Sequence, residues 1–200
     1  MYYARWWKSY YLKRLGKDEE MRIFGIDPGS INCGYGLITK IRDTSHICGS
    51  ISRKVDTNMG CVPNNFSKLQ YISSGRIALP ASKPLYARLR ELYTSLADVI
   101  SEYKPDEIVI EKIFFAKGTK AALNLGHARG VALLAASLTG LSIYEYSALE
   151  VKKAVVGYGR ADKNQVQKMV KQILGLNRVL SSDSADALAL AICHANTKRL

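Results

Sequence analysis

Residues Phe24 to Ile38 read FGIDPGSINCGYGLI: one aspartate, Asp27, at the tip of a short apolar run, then a turn at Pro28-Gly29, then a second apolar run dotted with glycine. Two short apolar runs joined by so tight a turn predict an antiparallel hairpin, RIFGID (22–27) pairing with CGYGLITKI (33–41). A carboxylate at the end of a buried strand is costly unless other groups compensate it. The hairpin therefore raises the question of where the partners of Asp27 lie.

Beyond the hairpin, residues 42 to about 75 hold Asn, Gly, Pro and Ser clusters around short apolar pieces, HICGSI and KLQYISSGRIAL, which predicts a third strand preceded by a long loop or an extended hairpin. From Pro84 the period changes. Leu85, Leu89, Leu92, Leu96 and Val99 step by three and four, the stripe of a helix that ends near Lys104-Pro105. DEIVIEKIFF (106–115) reads as a buried strand carrying Glu111, and Thr119 is placed to cap the helix KAALNLGHARGVALLAASL, on which Ala122, Gly126 and Gly130 leave a smooth face. SIYEY is a further strand, Ser147 and Glu150 have capping-box spacing before ALEVKKAVV, a basic helix runs from Asp162 to Leu174 until Gly175, and a last helix opens at SSDSADALALAICHA. Strands alternating with helices after an opening meander predict an α/β fold with a mixed sheet.

The chain is 200 residues with 48% hydrophobic content, enough for one sizeable core. Residues 21–200 are expected to form a single domain. Residues 1–20, MYYARWWKSYYLKRLGKDEE, differ in composition: read as a helix they gather aromatics on one side, an interfacial anchor or a nucleic-acid arm in pattern. Met21 stands directly before the first strand, so these residues are expected to be an extension outside the fold. Lys and Arg number 29 against 17 acids, a net charge of +12 of which the extension supplies only +2, and such a balance suits a polyanionic partner, nucleic acid first. Four cysteines without C-x-x-C spacing and three scattered histidines offer no zinc template, and no uninterrupted apolar run reaches the length of a membrane span, GVALLAASLTGLSIYEY coming nearest but broken by glycine and serine. Reduced thiols in a cytoplasm are the expectation.

Four acids draw attention as a set. Asp27 and Glu111 each end or interrupt an apolar strand, while Asp183 and Asp186 lie three apart in the first turn of the last helix. In α/β sheets, strand ends and neighbouring helix starts converge on one crevice. Asp27 alone also suits a turn, and Asp183 and Asp186 alone suit a helix N-terminus; Glu111 between IVI and IFF is harder to read as structural. Carboxylates brought together repel unless a proton or a cation intervenes. With oxygen donors only, the cation is a hard one, Mg²⁺ or Mn²⁺, and two such ions roughly 4 Å apart serve in-line attack on a phosphodiester. With the basic surface, the set points to a nuclease.

RIFGIDPGSINCGYGLI, IVIEKIFFAKGTKAALNLGHARGVALLAA, EYSALEVKKAVVGYGRADKNQVQKMV and DSADALALAICH together resemble, in order and over about residues 21 to 196, the successive motifs of the bacterial RuvC Holliday-junction resolvases. The resemblance implies a ribonuclease H-like fold, mixed sheet flanked by helices, and a homodimer that resolves four-way DNA junctions in recombination and repair by paired nicks. It puts the family's catalytic, metal-holding acids on Asp27, Glu111, Asp183 and Asp186, served by two Mg²⁺ with Mn²⁺ as substitute. It also puts an aromatic at the junction's exchange point on Phe114, and DNA-contacting lysines on Lys117, Lys152 and Lys163. RuvA and RuvB, the branch-migration proteins, are implied as partners. The aromatic extension and the irregular 42–70 segment depart from the family pattern. Another ribonuclease H-like nuclease, acting on RNA–DNA hybrids or other branched DNA, would share the same acids, whereas a junction-binding protein without catalysis would be expected to lack one of them.

Overall fold

The structure, a computed structural model, describes residues 20–41, 68–112 and 118–198. Among these residues five strands and five helices follow in the order β1 (Glu20–Asp27), β2 (Asn32–Ile41), β3 (Lys68–Ala78), α1 (Leu85–Tyr103), β4 (Glu107–Lys112), α2 (Thr119–Ser137), β5 (Ser142–Ser147), α3 (Ala148–Val156), α4 (Lys163–Ile173) and α5 (Ser182–Thr197). The sheet order is β3-β2-β1-β4-β5. β1, β2 and β3 run antiparallel, whereas β4 and β5 lie parallel to β1, so the sheet is mixed as expected. The predicted hairpin forms with Asp27 opposite Gly34. β1 begins at Glu20, paired with Ile41, two residues ahead of the expected start at Arg22; the ladder extends because β2 continues far enough to meet it.

Alternation along the strands divides the core into two layers. Phe24 and Ile26 of β1, Leu37 of β2 and Ile108 and Ile110 of β4 face α1 and α2, packing on Leu92, Leu96, Ile100, Ala128 and Ala132. Ile23, Ile38 and Val109 face the other way, onto α5 and through it α3 and α4. Each fully buried Phe, Leu or Ile contributes about 1.5–3 kcal/mol. Enclosed by the sheet on one side and α3 and α4 on the other, α5 is buried almost all round, from Ser184 to Ala195.

Helix ends follow local chemistry, with two departures from expectation. Ser147 and Glu150 form the predicted capping box on α3, and Ser181 caps α5 by accepting from the Ser184 amide. Asp162 lies outside its helix as the cap of α4, completing a second capping box with Gln165. Thr119 does not cap α2: it is the first helical residue, and Gly118, at φ 99°, occupies the cap position without a side-chain acceptor. Gly118 takes that conformation because it carries no Cβ. On α2, Gly126 and Gly130 border open space, but Ala122 is half-buried; the outer face is instead completed by exposed Leu123, Leu134 and Leu138. Among the described residues no helix is long and apolar enough to cross a membrane.

Candidate active site

Strand parity decides which residues can meet. Ile23, Gly25 and Asp27 share one face of β1, and Val109 and Glu111 share the same face of β4, because both strands run parallel with Ile26 opposite Ile110. Asp27 and Glu111 therefore stand one step beyond that pair, on neighbouring strand ends, on the face that α5 covers. The first turn of α5 brings Asp183 and Asp186 to the same place. All four expected acids are drawn together, each half-buried.

The glycines of the opening stretch explain how close α5 comes. A Cβ on Gly25 would sit 2.1 Å from the main-chain oxygen of Ala187, one on Gly34 would sit 2.0 Å from that of Asp183, and one on Gly36 would sit 2.7 Å from the Leu188 amide nitrogen. No side chain fits at these positions, so the helix lies on the sheet backbone to backbone. Asp183 is thereby held over β2 directly beside the end of β1. The turn after Asp27 is fixed in its own right: Arg88 of α1 donates to the Ser30 carbonyl at 2.6 Å and the Leu79 amide donates to the Ile31 carbonyl at 2.7 Å.

The electrostatics register the crowding. The Asp27 carboxyl is pushed up to about 8, first by burial, then by the charge of Glu111 and a hydrogen bond shared with it, and then by the charges of Asp186 and Asp183. Among the described residues a cation answers them: Lys163, at the start of α4, reaches Asp186 Oδ2 at 3.1 Å and Ser182 Oγ at 3.4 Å. That bond and the neighbouring negative charge raise the Lys163 pKa. The contact between Asp27 and Glu111 is direct while the helix acids act on Asp27 through space, and among the described residues no three acids close into a ready-made metal cage. The donor chemistry nevertheless fits a hard divalent ion, since four oxygen-bearing acids with one lysine leave excess negative charge, and a half-buried acid that retains its proton is a group a cation would displace that proton from.

Of the expected DNA-contacting residues, Lys163 lies at the acids and Lys152 lies half-buried on α3. Phe114 and Lys117 lie outside the described residues. Two pairs of groups were not foreseen, one beside the site and one far from it. Arg129 of α2 donates from Nε to the Glu111 carbonyl at 3.2 Å and pairs with Glu145 of β5. At the opposite end of the same sheet face, Glu107 and His194 form a buried pair that ties β4 to the far end of α5. A strand acid at 107 immediately after Pro105-Asp106 looks like a solvated turn charge in sequence, and only the apolar α5 pattern surrounding His194 hinted that the histidine would be enclosed.

Comparison with known proteins agrees with this architecture. A profile of the family described as crossover junction endodeoxyribonuclease RuvC matches residues 52–194, a span containing Glu111, Asp183 and Asp186. The crossover junction endodeoxyribonuclease RuvC of Geotalea uraniireducens is 41% identical over 180 residues, 90% of this chain and 91% of the relative. That of Syntrophotalea carbinolica is 44% identical over 176 residues, covering 88% and 94% of the two chains. Among solved structures, Thermus thermophilus RuvC in complex with Holliday junction substrate superposes with a TM-score of 0.72 at 28% identity, covering 88% of this chain and 94% of that one. With a ribonuclease H-like sheet, an acid on each of two adjacent strand ends and relatives matching nearly end to end, the chain belongs to the RuvC family of crossover junction endodeoxyribonucleases, which are metal-dependent nucleases.

Proposed function

We propose that this chain binds four-way DNA junctions and hydrolyses two symmetry-related phosphodiesters in them at a centre formed by Asp27, Glu111, Asp183 and Asp186. The observation that carries the reading is the meeting of two parallel strand ends with the first turn of α5, which gathers four acids and leaves Asp27 at about 8. The four side chains would hold divalent ions, Mg²⁺ with Mn²⁺ as substitute, two per site. What such a pair supplies when bound is an activated water and stabilisation of the leaving 3′ oxygen. The protein's own part is binding and orientation. Asp27 keeps its proton when no cation is present and would release it as one arrives. Asp183 is fixed against the sheet by backbone contact, and Asp186 lies in the same turn beside Ala187, which is fixed in the same way, so both enter the site with little freedom to lose. Lys163 neutralises Asp186 and stands where a phosphate oxygen would approach the acids, with Lys152, Lys117 and the Phe114 ring as further DNA contacts.

Two opposed cuts call for two equivalent sites, and a two-fold dimer supplies them. The outer face of α2 supports this: Leu123, Leu134 and Leu138 are more than half exposed, and among the described residues nothing beyond the helix's own nearby backbone lies within 4 Å of a Cβ at Gly126 or Gly130. A second copy is the partner we assign to it. RuvA and RuvB are the branch-migration partners consistent with the family, in the cytoplasm, and residues 1–19 are read as an extension to a single domain that Glu20 joins as the first residue of β1.

A synthetic four-way junction, its matched duplex and an RNA–DNA hybrid, each incubated in Mg²⁺ and mapped for cuts, test the function. Paired nicks at opposed positions of the junction are expected. Faster cutting of the hybrid than of the junction would replace this reading with that of a hybrid-directed nuclease.

A further inference from the structure

Arg129 makes two bonds from one guanidinium. Its Nε donates to the main-chain oxygen of Glu111 at 3.2 Å, and its terminal nitrogen pairs with the Glu145 carboxylate. Glu145 belongs to β5, directly opposite Ile110 in the parallel ladder, so the arginine spans the ends of both strands from α2. Its side chain is 20% exposed, and it lies beside Ala128, which is completely buried against the sheet. Glu111 is the penultimate residue of β4, where the ladder is about to end and the main chain has the fewest remaining constraints.

We infer that Arg129 is a positioning residue for Glu111, which rests on the proposed role of Glu111 in the acid cluster. A carboxylate that must meet Asp27 and a cation is only as well placed as the main chain beneath it, and a displacement of about 1 Å at such a site costs on the order of 100-fold in rate. The guanidinium suits the task because it is a flat fork: one N–H holds the carbonyl of Glu111 while another is held by Glu145, which prevents the arm from swinging away. Lysine offers a charge without the fork, so it cannot occupy both acceptors in the same geometry. Glu145 acts one step further out, orienting Arg129. Arg129 and Glu145 bond neither Lys152 nor Lys163, the lysines of α3 and α4 proposed to contact DNA, so junction binding should be separable from this arrangement.

The test compares Arg129→Gln, Arg129→Lys and Glu145→Gln with the parent chain and with Glu111→Gln. Mn²⁺ affinity is read by calorimetry without DNA, single-turnover cutting on saturated junction is read against Mn²⁺ concentration, and junction affinity is read in EDTA. Arg129→Gln is expected to weaken Mn²⁺ binding about 10-fold and slow cutting 10- to 100-fold, with junction affinity within about twofold of the parent, the range typical of groups that hold metal ligands in place. Glu145→Gln should move both readouts the same way by less, and Arg129→Lys should lie nearer to Arg129→Gln than to the parent. Parent-like Mn²⁺ affinity and rate in Arg129→Gln, with Glu111→Gln inactive, overturns the inference and leaves the site intact. Full recovery in Arg129→Lys overturns it too, since charge alone would then suffice. Parent-like cutting by Glu111→Gln sinks the reading of the acid cluster itself.

Discussion

His194 Nε2 stands 2.7 Å from Glu107 Oε2 where the histidine is completely buried and the glutamate is 6% exposed. Tyr146 Oη lies 2.8 Å from the other ring nitrogen, and Lys198 pairs with the second oxygen of Glu107. Every polar atom in this chain of contacts has a partner, so it ties β4, β5 and the C-terminal end of α5 together at the edge of the sheet opposite the acid cluster. Lys40 of β2 adds to it, donating to the Ala195 carbonyl at 2.6 Å and the Lys198 carbonyl at 2.8 Å.

Burial works to raise the Glu107 carboxyl, but the hydrogen bonds and charges of His194 and Lys198 outweigh it and hold the carboxyl at about 2, against an ordinary value of 4.5. A depressed acid favours the folded state when ionised, so its contribution is complete above pH 4.5 and is lost as pH falls from there towards 2. Glu107→Gln should remove on the order of 2 kcal/mol at pH 7 and flatten the acid limb of the stability profile. Urea unfolding of both chains between pH 2 and 7 checks this; parallel profiles would refute it.

For the acid cluster, Asp27→Asn, Glu111→Gln, Asp183→Asn and Asp186→Asn should each slow cutting at least about 100-fold while junction affinity changes little, since groups serving one centre act as a unit. Asp27 carries the opposite sign to Glu107. Raised to about 8, it costs the metal-free protein stability increasingly as pH climbs from its ordinary 3.8, so Asp27→Asn should melt at a higher temperature than the parent at pH 7 in EDTA. An unchanged or lower melting point contradicts the crowding described.

Gly25→Ala and Gly34→Ala should each cost about 1–3 kcal/mol or more, because the added methyl meets the main chain of α5, which cannot move aside as a side chain would. Cutting should fall further than stability explains, since the methyl pushes Asp183 and Asp186 from the strand acids. Parent-like rates in folded Gly34→Ala would remove the close approach from the account of the site.

On the outer face of α2, Leu134→Glu should convert a dimer to a monomer that still binds one Mn²⁺-dependent site per chain but no longer makes paired nicks. Gly130→Ala meets open space within one chain and should gain up to about 1 kcal/mol as a helix former there. Sedimentation at micromolar concentration decides: a parent chain that is monomeric with junction bound excludes this face as the two-fold contact.

Lys163 and Lys152 should separate chemistry from affinity. Lys163→Ala loses the cation 3.1 Å from Asp186 and should slow cutting of saturated junction about 10-fold or more. Lys152→Ala should instead weaken binding and reduce the slope of log affinity against log salt by about one. Equal effects of both variants on affinity and rate would deny the division.

Much of this architecture is legible in the residues because local chemistry and the tertiary structure agree. The Pro28-Gly29 turn, the three-four stripe of α1 and the Ser147–Glu150 box each form as their spacing requires. Asp27 and Glu111 stand out because an isolated charge in an apolar run demands a reason. Asp183 and Asp186 become notable only in company, since acids at a helix start are common. The purpose of Gly25, Gly34 and Gly36 is hidden because the backbone they admit belongs to the last helix. Glu107, His194 and Arg129 are hidden for the same reason: each resembles an ordinary polar residue of its own element, and its partner is remote in sequence. Thr119 misleads in the other direction, as a favourable cap residue displaced by a glycine beside it.

The contact between β1 and α5 also sets a timetable. Among the described elements β1, with Asp27, leaves the ribosome before the others and α5, with Asp183 and Asp186, after them, so a growing chain can form its sheet and α1 while holding only half of the acids. Until α5 slides onto the glycine track there is no assembled cluster to recruit a cation. If the four acids are the cutting centre, as proposed, the nuclease is harmless until α5 has been made, and a message truncated before Ser182 is expected to yield a product that does not nick DNA.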